Sequence, residues 1–414
     1  MSATAELRPA RVVTLVVVDE NGTVLGSLDP FPVDTPWWMD VSPVVSQARR
    51  RYGVEVIVLR LLWSELAVPH GGAVTYLAQV VSGVSLPSLR SWGGELSPGP
   101  NRAAYAEVGG PQADLAWAED VLRDQGTSPI GRWEQHRTWN LSSVWSLLTG
   151  TGRVWLKAGP TFFAHEGAAI VAIAAANRLS GGSITAVPTL LGEDRGRMLL
   201  AEIPGSDRYD AELGERLTMI DLLVDLQCQW LGRSDELVPL GLPDWRADVL
   251  SASISELVER RAPEFDNELS HILAGFLDGL ERRFSAIAAC GMDDALVHGD
   301  FHPGNVRGDG TTVTLIDWAD CGVGHPLLDQ PAFLRTSSSN EIDPLTGHWA
   351  AKWRRSVPGC EPGRAAALLG PIAAARQAVV YQGFLDRIEA TEQCYHRHDV
   401  PDWLERVAEI LRRA

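Results

Sequence analysis

The side chains best suited to chemistry lie in one run, His298-Gly299-Asp300-Phe301-His302-Pro303-Gly304-Asn305, followed shortly by Ile316-Asp317-Trp318. A hydroxyl attacking the terminal phosphate of a nucleotide needs a carboxylate beside it, to orient it and accept its proton. Asp300 is the candidate for that role. Mg²⁺ takes hard oxygen ligands in a near-octahedral shell, and Asn305 and Asp317 offer a carboxamide oxygen and a carboxylate oxygen. Phosphate oxygens and water would complete the shell. Taken singly, these residues have ordinary explanations: an aspartate can cap a turn or end a strand, and an asparagine can fill a left-handed position. Their joint occurrence at this spacing points to phosphoryl transfer.

The elements that must position these groups are legible nearby. Between Val306 and Ile316, Gly308-Asp309-Gly310 is flanked by β-branched and aliphatic residues, which predicts a hairpin returning Asp317 to the side of Asn305. His298 and His302 are four apart, a spacing that ligates zinc on a helix face. Pro303-Gly304 argues against that helix, and the glutamate of H-E-x-x-H is absent.

The pattern H-G-D-x-H-x-x-N followed by I-D-W resembles that of the aminoglycoside phosphotransferase and choline kinase group, whose fold is like that of protein kinases. Gly299 stands where a protein kinase has the Arg of H-R-D, as in the small-molecule group. The resemblance implies that His298 and His302 brace the loop, and it implies further positions. Val154-Trp155-Leu156-Lys157 is similar to the strand whose lysine contacts the α and β phosphates, and Glu166, opening a helix through Asn177, would be its ion-pair partner. The phosphate-covering turn falls between Arg137 and Leu147. It has no glycine, so the hydroxyls of Ser142 and Ser143 are the candidate phosphate contacts. The strand Arg197 to Ile203 leads into Pro204-Gly205, the expected hinge, where backbone groups near Glu202 and Ile203 would face the base. Adenine and guanine recognition there uses main-chain geometry, so ATP is the expected donor with GTP left open. Amphipathic stretches at Leu213 to Leu231, Arg246 to Arg260 and Leu269 to Cys290 predict a helical large lobe.

The run from Asp320 to Asp329 replaces the activation segment of a protein kinase and is short, which favours a small hydroxylated acceptor over a peptide. Within it, the resemblance makes Asp329 of Gly324-His325-Pro326-Leu327-Leu328-Asp329 a structural tie. Candidate acceptor contacts are Asp320, Asp386, Glu389 and Glu392. They are interleaved with Trp349, Trp353, Tyr381, Tyr395, His396, Asp399 and Trp403, a mixture that could hold a cationic group through ion pairing and cation-π contact. Solvated helix faces with buried indoles explain the same pattern. Arg376 and Gln377 are polar candidates without a motif.

Ahead of all this, Arg11 to Asp19, a turn at Glu20-Asn21-Gly22 and Thr23 to Leu28 read as a hairpin. A helix near Ser42 to Tyr52 ends at Gly53, strands follow at Val54 to Trp63 and Ala73 to Val81, and a helix at Gln112 to Arg123 precedes Gly126-Thr127-Ser128-Pro129. This order resembles a Nudix hydrolase fold, but Gln47-Ala48-Arg49-Arg50-Arg51-Tyr52-Gly53 stands where that family has Arg-Glu and paired glutamates. The resemblance implies a Nudix-like module without hydrolase activity. The arginines suit either an anionic ligand or a solvated helix face. Trp37-Trp38 reads as core packing before a binding platform.

The expected fold class is α+β: a bilobal protein-kinase-like phosphotransferase domain preceded by a smaller α/β Nudix-like domain, with segments 1–127, 128–205 and 206–414. At 414 residues, 45% hydrophobic, the chain is long enough for two or three domains. Lys+Arg 36 against Asp+Glu 53 gives a net charge of −17, which disfavours nucleic acid as a partner and suits a cationic substrate or simply a soluble surface. Five scattered cysteines without a C-x-x-C pair, an amino terminus at Met1 to Glu6 without a basic start or apolar run, and no long apolar stretch predict a reduced cytoplasmic protein off the membrane. The leading expectation is an ATP-dependent, Mg²⁺-dependent O-phosphotransferase acting on an aminoglycoside, amino sugar, sugar or choline-like hydroxyl. The alternative is a nucleotide-binding regulatory or pseudokinase-type protein with little turnover, against which Lys157, Asp300, Asn305 and Asp317 all argue. Diphosphate hydrolysis by the first segment ranks last, since its glutamates are missing. Oligomeric state is left undetermined.

Overall fold

A computed structural model describes residues 10–81, 83, 86–182, 186–310 and 312–413. The Met1 to Glu6 stretch and Thr311 of the expected hairpin lie outside the described residues. The chain groups into two compact units, one of Met1–Ala164, Leu190–Glu202 and Leu385–Arg397, the other of His165–Thr189, Ile203–Phe384 and His398–Ala414.

In the first unit, the β-branched run β1 (Arg11–Val18) pairs antiparallel with β2 (Val24–Ser27) and with β3 (Phe31–Val33). Helix α1 (Ser42–Tyr52) takes Pro43 in its first turn and stops at Gly53, whose φ of 67° gives the left-handed cap. Strands β4 (Val56–Ser64) and β5 (Gly72–Val80) complete a sheet ordered β2-β1-β5-β4, with β1 and β5 parallel. Helix α2 (Gly110–Asp124) follows. A second sheet comprises β6 (Glu134–Trp139), β7 (Ser142–Thr149) and β8 (Gly152–Ala158), then, beyond helix α3 (Glu166–Leu179) of the other unit, β9 (Leu190–Asp194) and β10 (Arg197–Ala201). Its order is β6-β7-β8-β10-β9.

Strand β1 explains why the first segment does not stand alone. Val13, Leu15 and Val17 enter one core with Phe31, Trp38 and Tyr76, while Val16 and Val18, on the opposite face, enter another. A strand apolar on both faces needs a layer on each side. The second layer comes from Ala118 and Leu122 of α2 together with Trp145, Leu147, Leu156 and Leu199 of the second sheet. At about 2 kcal/mol for each buried aliphatic side chain, this shared core is a large part of the unit's stability. The buried Gln135 side chain reinforces the joint, accepting from the Val58 amide at 3.0 Å and donating to the Val58 carbonyl at 2.7 Å. The described residues of the first segment and the second sheet thus share a core within one compact unit.

The second unit is mainly helical. It holds α3, the short strand β11 (Ser206–Asp207), and helices α4 (Leu213–Cys228), α5 (Ala247–Arg261), α6 (Asn267–Asp278) and α7 (Leu280–Ala288). The single helix expected over 269–290 is broken at Gly279, between α6 and α7. Strands β12 (Ala295–Val297), β13 (Val306–Gly308), β14 (Val313–Leu315) and β15 (Gly322–Gly324) precede α8 (Gln330–Arg335), α9 (Ser339–Ser356), α10 (Pro362–Leu385) and α11 (Asp399–Arg413). An aromatic core lies behind the loop after β12: Phe301 stacks on Phe333 at 4.7 Å, and both meet Trp349 edge-on. No described helix is long and apolar enough to cross a membrane.

Candidate active site

The loop from His298 to Asn305 leaves the buried strand β12, and two charged side chains fix its first turn. The Asp329 carboxylate accepts from the amides of His298 at 2.9 Å and Gly299 at 2.7 Å, and from the side chain of Gln227 at 2.9 Å. From the opposite direction, the Arg376 guanidinium donates to the Gly299 carbonyl at 3.2 Å. Gly299 is a glycine for two reasons. Its φ is +89°, and a Cβ there would sit 2.0 Å from the Asp320 carbonyl oxygen. Burial pushes the Asp329 carboxyl up to about 6, its amide donors pulling the other way. The tie that the resemblance implied for Asp329 is thus made to the backbone of the loop itself.

Asp300 emerges from this turn with its side chain 39% exposed. Its Oδ2 lies 3.4 Å from His302 Nε2 and accepts from Asn305 Nδ2 at 3.0 Å. Since His302 Nδ1 accepts the Gly304 amide at 3.0 Å, the ring proton sits on Nε2 and faces Asp300. Burial raises the Asp300 carboxyl, but its contact with His302, with help from His298 and Asn305, holds it below its ordinary value. Asp300 is therefore ionised at neutral pH, the state a proton acceptor requires. His298, fully buried and pushed down to about 4 by that burial, is neutral. Its Nδ1 takes the Asp300 amide at 3.4 Å, so Nε2 donates to the Ile316 carbonyl at 3.0 Å. The two histidines brace the loop as expected.

The hairpin expected over 306–316 is present, with Val306 opposite Leu315 and Gly308 opposite Val313. Its last rung, the Ile316 amide to the Asn305 carbonyl at 2.9 Å, brings the next residue, Asp317, back toward Asn305. Asp317 is exposed and left-handed, at φ 63° and ψ 65°. A non-glycine residue is rarely held there, and such strain persists only where neighbours over-determine it. The neighbour is Trp318, fully buried, its indole donating to the Leu315 carbonyl at 3.0 Å and packing 4.6 Å from the His298 ring. Asn305 spends its amide nitrogen on Asp300, also reaching the main-chain oxygen at 2.9 Å, and its carbonyl oxygen is the atom left for a metal. Asn305 Oδ1 and the Asp317 carboxylate are hard oxygen donors of the kind Mg²⁺ takes. Among the described residues no three His, Cys, Asp or Glu side chains gather to hold a metal by themselves.

The other candidates belong to both units. Lys157 lies in β8 opposite Val144 and Met198, in the first unit, whereas Glu166 begins α3, is buried, and belongs to the second. Glu202 ends the Leu190–Glu202 segment of the first unit, its amide on the Arg153 carbonyl at 3.1 Å and its carboxylate taking the Trp155 indole; Ile203 begins the Ile203–Phe384 segment of the second. Ser142 and Ser143 differ from expectation. They lie in β7, and indoles claim their hydroxyls, Trp139 donating to Ser142 at 3.0 Å and Trp145 to Ser143 at 2.9 Å, with Ser143 fully buried. Ser143 is thus part of the core, while Ser142 is half-buried at its edge.

The acceptor candidates also divide. Glu389 and Glu392 are buried in the first unit: Glu389 pairs with Arg102 at 2.9 Å and Arg60 at 3.7 Å, and Glu392 accepts the Leu61 amide at 3.0 Å. They dock the segment 385–397 against β4, so they are not open to a cationic substrate. Burial raises the Glu392 carboxyl to about 8. Tyr395 and His396 are buried beside them, and Trp349 and Trp353 are core residues of the second unit. Asp386 is exposed in the first unit, while Asp320 and Asp399 are part-buried in the second, close enough to Tyr381 that they and Asp300 add to the burial raising its hydroxyl. Tyr209 was missed. Its ring stacks on His302 at 5.7 Å, yet it lies outside any motif.

Residues 132–356, more than half of the chain, match the model of the Phosphotransferase enzyme family, and the chain belongs to that family. It is a phosphotransferase enzyme with the mixed α/β, kinase-like fold. A protein named APH(2")-IIia, solved as its GDP and kanamycin complex, matches over 72% of this chain and 99% of its own, at 13% identity and a TM-score of 0.50. A macrolide 2'-phosphotransferase type I matches over 71% and 97%, at 16% identity and TM-score 0.49. A choline/ethanolamine kinase family protein from Mesorhizobium loti matches over 72% and 94%, at 14% identity and TM-score 0.48. No sequence among curated proteins matches the chain.

Proposed function

We propose that this enzyme transfers the terminal phosphoryl group of ATP, or of GTP, to a hydroxyl of a small molecule, with Asp300 as the base. The observation that carries the reading is the ionised, partly exposed Asp300 bonded to Asn305, with a hairpin returning the strained Asp317 toward the same loop. Asp300 orients the acceptor hydroxyl and receives its proton as the oxygen-phosphorus bond forms and the nucleoside diphosphate leaves. His302 keeps the carboxylate ionised, and Asn305 keeps it from rotating away. Asn305 Oδ1 and Asp317 would hold Mg²⁺, which supplies charge neutralisation on the phosphates when bound. Because only two protein oxygens are on offer, metal affinity should depend on the nucleotide.

Lys157 and Glu166 are the proposed phosphate clamp, and the backbone near Glu202 and Ile203 the proposed base contact. For the acceptor, Asp320 remains in the proposal, joined by Asp399. These carboxylates, with the net charge of −17, suit an amino sugar, aminoglycoside or choline-like molecule carrying a cation beside its hydroxyl. The protein solved as its GDP and kanamycin complex shares the fold. The first segment is read as a Nudix-like module without hydrolase activity, supported by Arg49, Arg50 and Arg51 in the last turn of α1, with Arg49 bonded to Glu55. A cytoplasmic location belongs to the same reading.

The regulatory alternative has one observation in its favour, the withdrawal of the Ser142 and Ser143 hydroxyls into the sheet. A panel of aminoglycosides, amino sugars, sugars, nucleosides and choline, incubated with protein, Mg²⁺ and ATP or GTP and read by mass for added phosphate, separates the two. Phosphate on one acceptor supports the transferase. Tight Mg²⁺-dependent nucleotide binding with no acceptor modified supports the regulator.

A further inference from the structure

We propose that Arg376 is a positioning residue that joins the loop carrying Asp300 to the turn after Asp317 and holds the two as one rigid piece. The inference rests on the phosphotransferase reading and adds to it a residue that no sequence motif marks. Arg376 lies in α10, far along the chain from both segments, and is 1% exposed. One terminal nitrogen donates to the Gly299 carbonyl at 3.2 Å and the other to the Asp320 carbonyl at 3.3 Å. Gln377, its neighbour on the helix, also reaches the Gly299 carbonyl, at 3.4 Å. The face of the guanidinium is covered by Trp245, whose ring centroid is 4.8 Å away.

Geometry explains why an arginine is used. The Gly299 and Asp320 backbones approach so closely that a Cβ on Gly299 would meet both the Asp320 oxygen, at 2.0 Å, and an Arg376 nitrogen, at 2.9 Å. Both carbonyl oxygens face one guanidinium, and a planar cation with two donors bridges them. An ammonium offers a single point and would favour one oxygen at a time. The Gly299 residue is thereby held at both ends, its amide by the anion Asp329 and its carbonyl by the cation Arg376. Asp300 begins at that carbonyl, and Asp320 lies three residues past Asp317. A cation at this point sets the distance between the proton acceptor and the metal carboxylate without touching either reactant. A displacement of about 1 Å at such a distance is enough to cost two orders of magnitude in rate.

The test uses the full chain as parent, Arg376→Lys and Arg376→Met. Hydrogen exchange over 298–305 and 320–323 requires neither nucleotide nor acceptor. Faster exchange in both segments of the variants, with α4 unchanged, is the expected result, and protection equal to the parent overturns the proposal. With Mg²⁺ and ATP as the probe and water as acceptor, kcat for ADP release should fall about tenfold or more in Arg376→Met and by less in Arg376→Lys, the KM for ATP staying within about threefold. A kcat within about twofold of the parent, or a loss confined to KM, overturns it. Should Arg376→Met fail to fold, Arg376→Lys decides by the same two measurements. A parent that neither binds nor turns over Mg²⁺-ATP refutes the phosphotransferase reading instead, and hydrogen exchange then decides alone whether Arg376 couples the segments.

Discussion

The side-chain amide of Asn305 donates to Asp300 twice, to its main-chain oxygen at 2.9 Å and to its carboxylate at 3.0 Å. This one relationship orients the proposed base and leaves the asparagine carbonyl oxygen for the proposed metal. Asp300→Asn should therefore remove proton acceptance while preserving size. The expected result is a loss of kcat of about a hundredfold or more, with nucleotide affinity by calorimetry nearly unchanged. Undiminished turnover in this variant would sink the assignment of the base.

His302 holds the Asp300 carboxyl below its ordinary value, so charge on Asp300 is lost only as pH falls through that lowered pKa. In His302→Ala the pKa should rise and the acid limb of the kcat/KM profile should move to higher pH. An acid limb in the same place as the parent's would mean that His302 does not act through Asp300.

Asp317 sits at φ 63°, ψ 65°, which glycine adopts freely and alanine does not. Asp317→Gly and Asp317→Ala both delete the carboxylate and should both lose metal-dependent nucleotide binding. They should differ in denaturation, the glycine variant being more stable by about 1 kcal/mol. Equal midpoints would show that the backbone there is not strained.

Burial pushes the Glu392 carboxyl up to about 8, well above the usual carboxylate range. The folded state then binds a proton more tightly than the unfolded state. The stability it contributes is complete below the unfolded pKa and is lost as pH rises through about 8. Glu392→Gln mimics the protonated form, so its melting temperature relative to the parent should climb from pH 4.5 to about 8 and level off above that. A constant difference across that range contradicts a buried, protonated Glu392.

Gly299→Ala combines a forbidden φ with a Cβ placed 2.0 Å from the Asp320 oxygen. It should destabilise the protein by about 2 to 4 kcal/mol and reduce turnover more than nucleotide binding. Chemical denaturation and ADP release measure the two effects, and parent-like values for both would show that the turn can relax.

By itself the sequence determined the site's local part. Asp300, Asn305 and Asp317 are separated by one loop and one hairpin, and the short-range chemistry that builds those, Pro303 in a tight turn and glycines around Asp309, is written in neighbouring residues. The elements of the first segment were legible for the same reason, as β-branched runs, a helix and its glycine cap are local signals. What the tertiary structure alone decided are the partnerships across long stretches of chain. Glu389 and Glu392 have the composition of a cation site, yet burial against Arg60, Arg102 and the Leu61 amide makes them structural. Ser142 and Ser143 have the composition of a phosphate grip, yet indoles occupy them. Arg376 carries no motif, and only packing brings it to Gly299 and Asp320. A side chain's type fixes which bonds it can make; which of them it makes depends on burial and on partners that the fold delivers from afar.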